Sequence, residues 1–249
     1  LFVCIDIDLT SKQRRSLRKF NPTFVRPSCK LTEQINRLDS NVVSNLNKSR
    51  LVAIDVFKIV KDFDRVIFFD SDMVVVKDIA SLLSSDRSLA CPDSCILKGY
   101  ERDKITYLPK HKVSSDNRSS LGKTVNTGFL YLQKSDHLLY NTLIEHLKVN
   151  FFEGFKENLG DETLINVVLP NHFYSLSNVY NYRIHLEDEQ YSYENIKYSD
   201  ARVLHFTGIY KPWLIKSYLF LIYRNAKYIK YLFQWVRYFC IFTLTKCGQ

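Results

Sequence analysis

The stretch Arg65–Asp78, RVIFFDSDMVVVKD, constrains the fold more than any other part of the chain. Val66, Ile67, Phe68 and Phe69 run without polar alternation, which is the pattern of a strand buried on both faces of a parallel sheet. The run stops at Asp70-Ser71-Asp72 and turns apolar again at Met73–Val76. Two carboxylates two residues apart in extended backbone project to the same side. Placed just past a buried strand, they stand at the carboxyl edge of the sheet, where open α/β folds bind ligands. Paired hard oxygens at that edge suit Mg²⁺ or Mn²⁺ carrying a phosphorylated substrate. A solvated turn between two strands accounts for the same residues.

The flanking chain alternates strands with helices, which predicts an α/β sheet with helices on both faces. Leu1–Ile7 reads as a strand and Ser11–Lys19 as a helix, with Thr10 or Ser11 as N-cap. Ser40–Lys61 reads as one helix, with Val43, Leu46, Ile54 and Phe57 on one face and Arg50 near the middle of it. A guanidinium there either snorkels to water, is buried with an ionic partner, or points into a cleft that holds an anion. Ser88–Pro92 reads as a short strand ending in Asp93. Ser94–Lys123 is a long polar stretch, expected to be a lid, a binding loop or a mobile segment. Val125–Leu132 reads as a strand carrying Asn126-Thr127-Gly128, and Asp136–Val149 as a helix. Gly160–Leu169 opens a further helix, with Asp161 and Glu162 in a first turn whose dipole favours negative charge. Tyr174–Ile184 and Ala201–Phe206 read as strands. The body closes on His205-Phe206-Thr207-Gly208-Ile209-Tyr210-Lys211-Pro212-Trp213, which offers one metal ligand and one phosphate-binding cation.

Charge separates this body from the C-terminal stretch. The 249 residues carry a net +9, yet the chain from Lys211 onward has seven Lys/Arg and no Asp or Glu, which leaves only +2 on the rest. A near-neutral body with a basic end argues against a nucleic-acid partner and for a surface anchor. Leu214–Gln249 adds ten aromatic residues to those cations, and charges interrupt its apolar runs before they reach spanning length. It is expected to lie on the interface of an anionic bilayer, or else to pack as a helix on the body. Hydrophobic content of 46% and 24% charged residues describe a folded chain, and six cysteines without metal-ligand spacing read as reduced thiols.

Four motifs in order then resemble glycosyltransferase family 8, the retaining group that includes glycogenin and bacterial lipopolysaccharide galactosyl- and glucosyltransferases. They are the apolar strand with Asp70-Ser71-Asp72, Asn126-Thr127-Gly128, Gly160-Asp161-Glu162 with Leu164-Ile165-Asn166, and His205-x-x-Gly208-x-x-Lys211-Pro212-Trp213. The resemblance runs from about Leu1 to Trp213. It implies a GT-A fold, a Rossmann-like, mostly parallel sheet in a single domain over residues 1–213, while composition marks 214–249 as a basic aromatic tail. It also implies a UDP-sugar donor and Mn²⁺ or Mg²⁺ held by Asp70, Asp72 and His205. Lys211 and Gly208 would hold the diphosphate, Arg50 the diphosphate or sugar, and Asp93, Asn126 with its neighbours Thr127 and Gly128, and Asp161 the donor sugar. The family's first strand–helix unit, which sandwiches the uracil, is expected to be missing.

The expected reaction is hexosyl transfer from UDP to a glycan, lipopolysaccharide or lipid-linked acceptor, at the cytoplasmic face of a membrane or in a Golgi lumen. The family usually has Asp-Gln where this chain has Asp161-Glu162. Glu162 therefore opens two roles: a nucleophile forming a covalent glycosyl-enzyme, or electrostatic support of an oxocarbenium-like transition state. Two other readings compete. Asp70-x-Asp72-x-Val74 also fits the first motif of haloacid-dehalogenase-type phosphatases, with Asp70 as nucleophile. A chain lacking the uracil-binding unit could also bind sugar nucleotide without catalysis.

Overall fold

A computed structural model describes residues 3–5, 9–18, 21–93, 95–97, 107–109, 124–153, 159–184, 196–207, 211–214, 218–219, 222–223 and 226–244. Its strands are β1 (Val3–Ile5), β2 (Thr23–Val25), β3 (Arg65–Phe69), β4 (Met73–Val75), β5 (Leu89–Pro92), β6 (Cys95–Leu97), β7 (Tyr107–Pro109), β8 (Val125–Gln133), β9 (Tyr174–Ser175), β10 (Tyr182–Arg183) and β11 (Val203–His205). The chain divides into two compact units, Leu1–Phe68 with Asp86–Tyr174 and Phe69–Ser85 with Ser175–Gln249.

The first unit begins as a strand–helix–strand. β1 and β2 pair in parallel, and helix Ser11–Leu17 connects them. Thr10 starts that helix through a capping box with Gln13, which satisfies backbone donors left over at a helix N-terminus. Next comes a four-stranded sheet in the order β3-β8-β5-β9, with β5 and β8 antiparallel and Ala90 opposite Leu130. β8 lies deep in this sheet: Phe129, Leu130, Tyr131 and Leu132 are all essentially inaccessible. Leu51, Ile54, Phe57, Val60, Leu143 and Leu164 complete the core around it. β3 lies at one end of the strand order, and its residues are half-buried rather than covered on both faces. An unbroken apolar run specifies a strand but not its place in the sheet.

Ser40–Lys61 is not one helix. It consists of helix Asn45–Arg50, a 3₁₀ turn Leu51–Ile54, helix Asp55–Ile59 and a second 3₁₀ turn Val60–Asp62. The tighter turns rotate side chains away from a 3.6-residue period. Arg50 therefore ends its helix exposed, while Leu51, Val52 and Ile54 take the buried side. Within Ser94–Lys123, β6 and β7 pair antiparallel with Ile96 opposite Leu108, and the intervening chain lies outside the described residues.

The second unit is built on a three-stranded sheet, β10-β11-β4. β10 runs parallel to β11 and β4 antiparallel to it. The Tyr174–Ile184 stretch is thus two strands separated by the 3₁₀ turn Asn178–Tyr180. Tyr182, Ile184, Leu204 and Phe206 form its core together with Tyr218, Tyr228 and Tyr231. Tyr218, Tyr228 and Tyr231, three of the ten aromatic residues beyond Leu214, are therefore core material. Helix Ile229–Leu244 packs Tyr231 inward, while Ile229, Phe233 and Val236 stay exposed. No described helix is long and apolar enough to cross a membrane.

Candidate active site

Antiparallel pairing of β4 with β11 sets Met73 opposite His205. The backbone N–H of Met73 donates to the Asp70 carbonyl at 3.2 Å, closing a turn over the carboxylate pair. The N–H of Phe206 donates to the Asp72 carbonyl at 2.9 Å, which fastens that turn to the end of β11. Three side chains meet as a result: a ligand atom from each of Asp70, Asp72 and His205 falls within 4.8 Å of the others. His205 Nε2 lies 3.1 Å from Asp72 Oδ1 and 3.8 Å from Asp70 Oδ2. The Lys211 ammonium donates to Asp72 Oδ2 and, at 3.2 Å, to the Phe206 carbonyl. It also stands over the Trp213 ring, 5.5 Å from its centre.

Burial pushes the Asp72 carboxyl up, but hydrogen bonds and positive charge from His205 and Lys211 outweigh that and hold it down at about 2. An ionised Asp72 beside a second carboxylate and an imidazole nitrogen is a donor set of two hard oxygens and one borderline nitrogen. That set fits Mn²⁺ or Mg²⁺ better than a thiophilic metal. The side chain of Asp70 is 45% exposed, so the cluster has an open flank on its side.

A second polar cluster lies in the first unit, where helix Asp161–Val168 meets β8. Gly160 precedes the helix at φ 67°, a conformation that a Cβ would disfavour. Thr127 Oγ1 donates to Asp161 Oδ2 and Asn126 Nδ2 to Glu162 Oε2, both at 2.7 Å. The Asn166 amide grips the Val125 backbone N–H and carbonyl and the Glu162 carbonyl, each at 2.8 Å. Burial pushes Asp161 up to about 6, against the Thr127 hydrogen bond, the Arg50 charge and two backbone N–H groups. Gly128 donates its N–H to Asn126 Oδ1 at 3.2 Å. Asp93 is buried just past β5, its N–H on the Thr124 carbonyl at 3.0 Å.

The candidate residues thus fall into two groups. Asp70, Asp72, His205 and Lys211 come together in one unit. In the other, Asn126 pairs with Glu162 and Thr127 with Asp161, and the Arg50 charge acts on Asp161. Gly208 lies outside the described residues. Two residues of these clusters were not singled out from the sequence. Asn166 stands in a quoted motif without an assigned role. Asn181, whose Oδ1 is 2.7 Å from His205 Nδ1, carried no signal beyond being a polar residue ahead of an apolar one.

Residues 1–217 match the sequence profile described as Glycosyl transferase family 8. Glycosyltransferase GlyF of Streptococcus pneumoniae serotype 4 is 24% identical over 185 residues, which are 70% of this chain and 42% of that protein. The uncharacterized protein R707 of Acanthamoeba polyphaga mimivirus is 25% identical over 154 residues, 61% of this chain and 50% of that protein. The chain therefore spans about half the length of these curated relatives. Among solved structures, an active-site mutant of LgtC superposes with a TM-score of 0.61 at 15% identity, covering 85% of this chain and 78% of that one. Mouse xyloside xylosyltransferase 1 does so with a TM-score of 0.50 at 14% identity, covering 82% of each chain. The fold is that of the GT-A glycosyltransferases. The profile match over most of the sequence agrees, and the chain belongs to glycosyltransferase family 8.

Proposed function

We propose that this chain is a retaining hexosyltransferase, moving a hexose from a UDP-sugar to a glycan, lipopolysaccharide or lipid-linked acceptor with Mn²⁺ or Mg²⁺. The meeting of Asp70, Asp72 and His205, with Lys211 on Asp72, is the observation that carries the reading. LgtC, named as a galactosyltransferase and solved with donor and acceptor sugar analogues, supports it by fold. A divalent cation bound by Asp70, Asp72 and His205 would neutralise charge on the leaving diphosphate. Lys211 would add a second positive charge for that diphosphate. Gly208 is assigned to the diphosphate by its place in the closing motif. Arg50, Asp93, Asn126, Thr127, Gly128 and Asp161 are assigned to the donor sugar and its diphosphate.

Glu162 supports the oxocarbenium-like transition state electrostatically. Its carboxyl group is buried and held by the Asn126 amide, so its position is fixed. Glu162→Gln is expected to slow transfer by roughly 10²-fold. A near-normal rate would take Glu162 out of the chemistry, and complete loss with an intact fold would favour the covalent route. The reaction itself is tested by screening UDP-sugars for UDP release. EDTA should abolish release and Mn²⁺ should restore it. If no UDP-sugar turns over, or turnover ignores EDTA, the reading fails.

The same proposal places the protein peripherally on an anionic membrane surface, at the cytoplasmic face, with a Golgi lumen as the alternative. Its support is the seven Lys/Arg without any Asp or Glu from Lys211 onward, next to exposed Leu219, Tyr223, Ile229, Phe233 and Val236. Deleting residues 214–249 would also strip Tyr218 and Tyr231 from a core, so surface substitutions test the idea more cleanly. The pair Ile229→Ser with Phe233→Ser is expected to weaken binding to anionic vesicles by about tenfold, from roughly 1.5 kcal/mol or more of lost apolar burial. Equal binding by both proteins in a vesicle sedimentation assay would remove the membrane role.

A further inference from the structure

The structure assigns Asn181 a role that no motif announces: we propose that it is a positioning residue, holding His205 by Nδ1 so that, when a cation is bound, Nε2 is the nitrogen free to ligate it beside Asp70 and Asp72. The proposal rests on the reading of Asp70, Asp72 and His205 as a metal site. Asn181 is fully buried and His205 is 2% exposed, so water does not compete for the imidazole. Asn181 Oδ1 lies 2.7 Å from Nδ1, on the side of the ring away from the carboxylates. A carbonyl oxygen there accepts the Nδ1–H, and in the neutral ring the lone pair then falls on Nε2. Nε2 is the atom 3.1 Å from Asp72 and 3.8 Å from Asp70. Histidine ligands are commonly held this way, by a hydrogen-bond acceptor on the nitrogen that does not coordinate.

The backbone explains why Asn181 is fixed well enough to do this. It closes the 3₁₀ turn Asn178–Tyr180, its own N–H donating to the Asn178 carbonyl at 3.1 Å. The turn is fastened in its own unit by the Arg202 N–H on the Val179 carbonyl at 2.7 Å. β10 starts at the next residue and runs parallel to β11, with Tyr182 opposite Leu204 and Arg183 opposite His205. One strand pairing therefore sets both the amide and the imidazole. A small displacement of either would lose the contact.

The test measures Mn²⁺ affinity of the full chain by the electron paramagnetic resonance signal of free Mn²⁺. Asn181→Leu keeps the volume but removes the acceptor, and is expected to weaken Mn²⁺ binding by about 10–100-fold. Asn181→Asp restores an acceptor and is expected to bind within about threefold of the parent, a rescue that a purely structural role would not show. Nitrogen-15 spectra of the imidazole in the Mg²⁺-loaded parent should show Nδ1 protonated and Nε2 bare. If Asn181→Leu does not fold, the aspartate variant and these spectra decide. Unchanged Mn²⁺ affinity in a folded Asn181→Leu, or an unprotonated Nδ1, overturns the assignment. Unchanged affinity in His205→Ala instead overturns the metal reading, so the two failures are distinguishable.

Discussion

Replacing Asp72 by asparagine is expected to lower metal-dependent UDP release by about 10³-fold, the upper range for removing a preorganised electrostatic group. Asparagine keeps the side-chain size but cannot carry the charge that His205 and Lys211 hold at this position. The same substitution reports on stability, because the carboxyl titrates at about 2 against an ordinary 3.8. A depressed acid stabilises the fold above its unfolded pKa, and that stability is lost as pH falls through the folded value. The shift corresponds to about 2 kcal/mol. Urea unfolding in EDTA should therefore find Asp72→Asn less stable by about that amount at pH 7, with the gap closing towards pH 2. Asp70→Asn is the control. Its side chain is 45% exposed and 3.8 Å from the imidazole, so its loss should cost metal binding and turnover with little change in urea midpoint. If Asp72→Asn retains UDP release within tenfold of the parent, the carboxylate pair is not the cation site.

Why these residues can be found in the sequence, and others not, comes down to the range of the interactions involved. An apolar run ending in paired carboxylates and a histidine closing a strand are local patterns. Asp70, Asp72 and His205 declare themselves that way, and the order of the motifs supplies the long-range step that local pattern cannot. Arg50 is misplaced because spacings of three and four presuppose a continuous α-helix. Two 3₁₀ turns break that phase after Arg50, and nothing local in Leu51–Ile54 marks the tightening. β3 reads as a strand buried on both faces because an apolar run records neither strand order nor how completely each face is covered. Tyrosine suits membrane surfaces and cores alike, so the sequence of the aromatic end fits both an interface and a helix packed on the body. Only tertiary packing separates Tyr231, inside, from Phe233, outside. Asn181 is invisible for the same reason: its partner is brought by a strand pairing, and an asparagine near a turn has many commoner uses.

Asp161→Asn is expected to move stability and activity in opposite directions. Asp161 is buried, and burial raises its carboxyl from 3.8 to about 6 despite the Thr127 hydrogen bond and the Arg50 charge. For a carboxyl so raised, the native state favours the protonated form. The associated stability is full below pH 3.8 and is lost as pH rises through about 6. At pH 8 the ionised side chain costs the fold about 3 kcal/mol relative to a neutral one. Asparagine is neutral at every pH and can still accept from Thr127 Oγ1, so the variant should unfold at higher urea than the parent at pH 8. The difference should shrink on acidification and vanish near pH 3.5, where both side chains are uncharged. The activity should fall, because a buried carboxylate kept at such a cost is the kind of group retained for function rather than for folding. Removing the Arg50 charge sharpens the test. In an Arg50→Met background Asp161 loses one of the groups that favour its ionised form, so the stabilisation by Asp161→Asn at pH 8 should grow. A variant no more stable than the parent at pH 8 would mean that water or a bound cation already relieves Asp161 of its charge penalty, and the carboxylate would then titrate in its ordinary range.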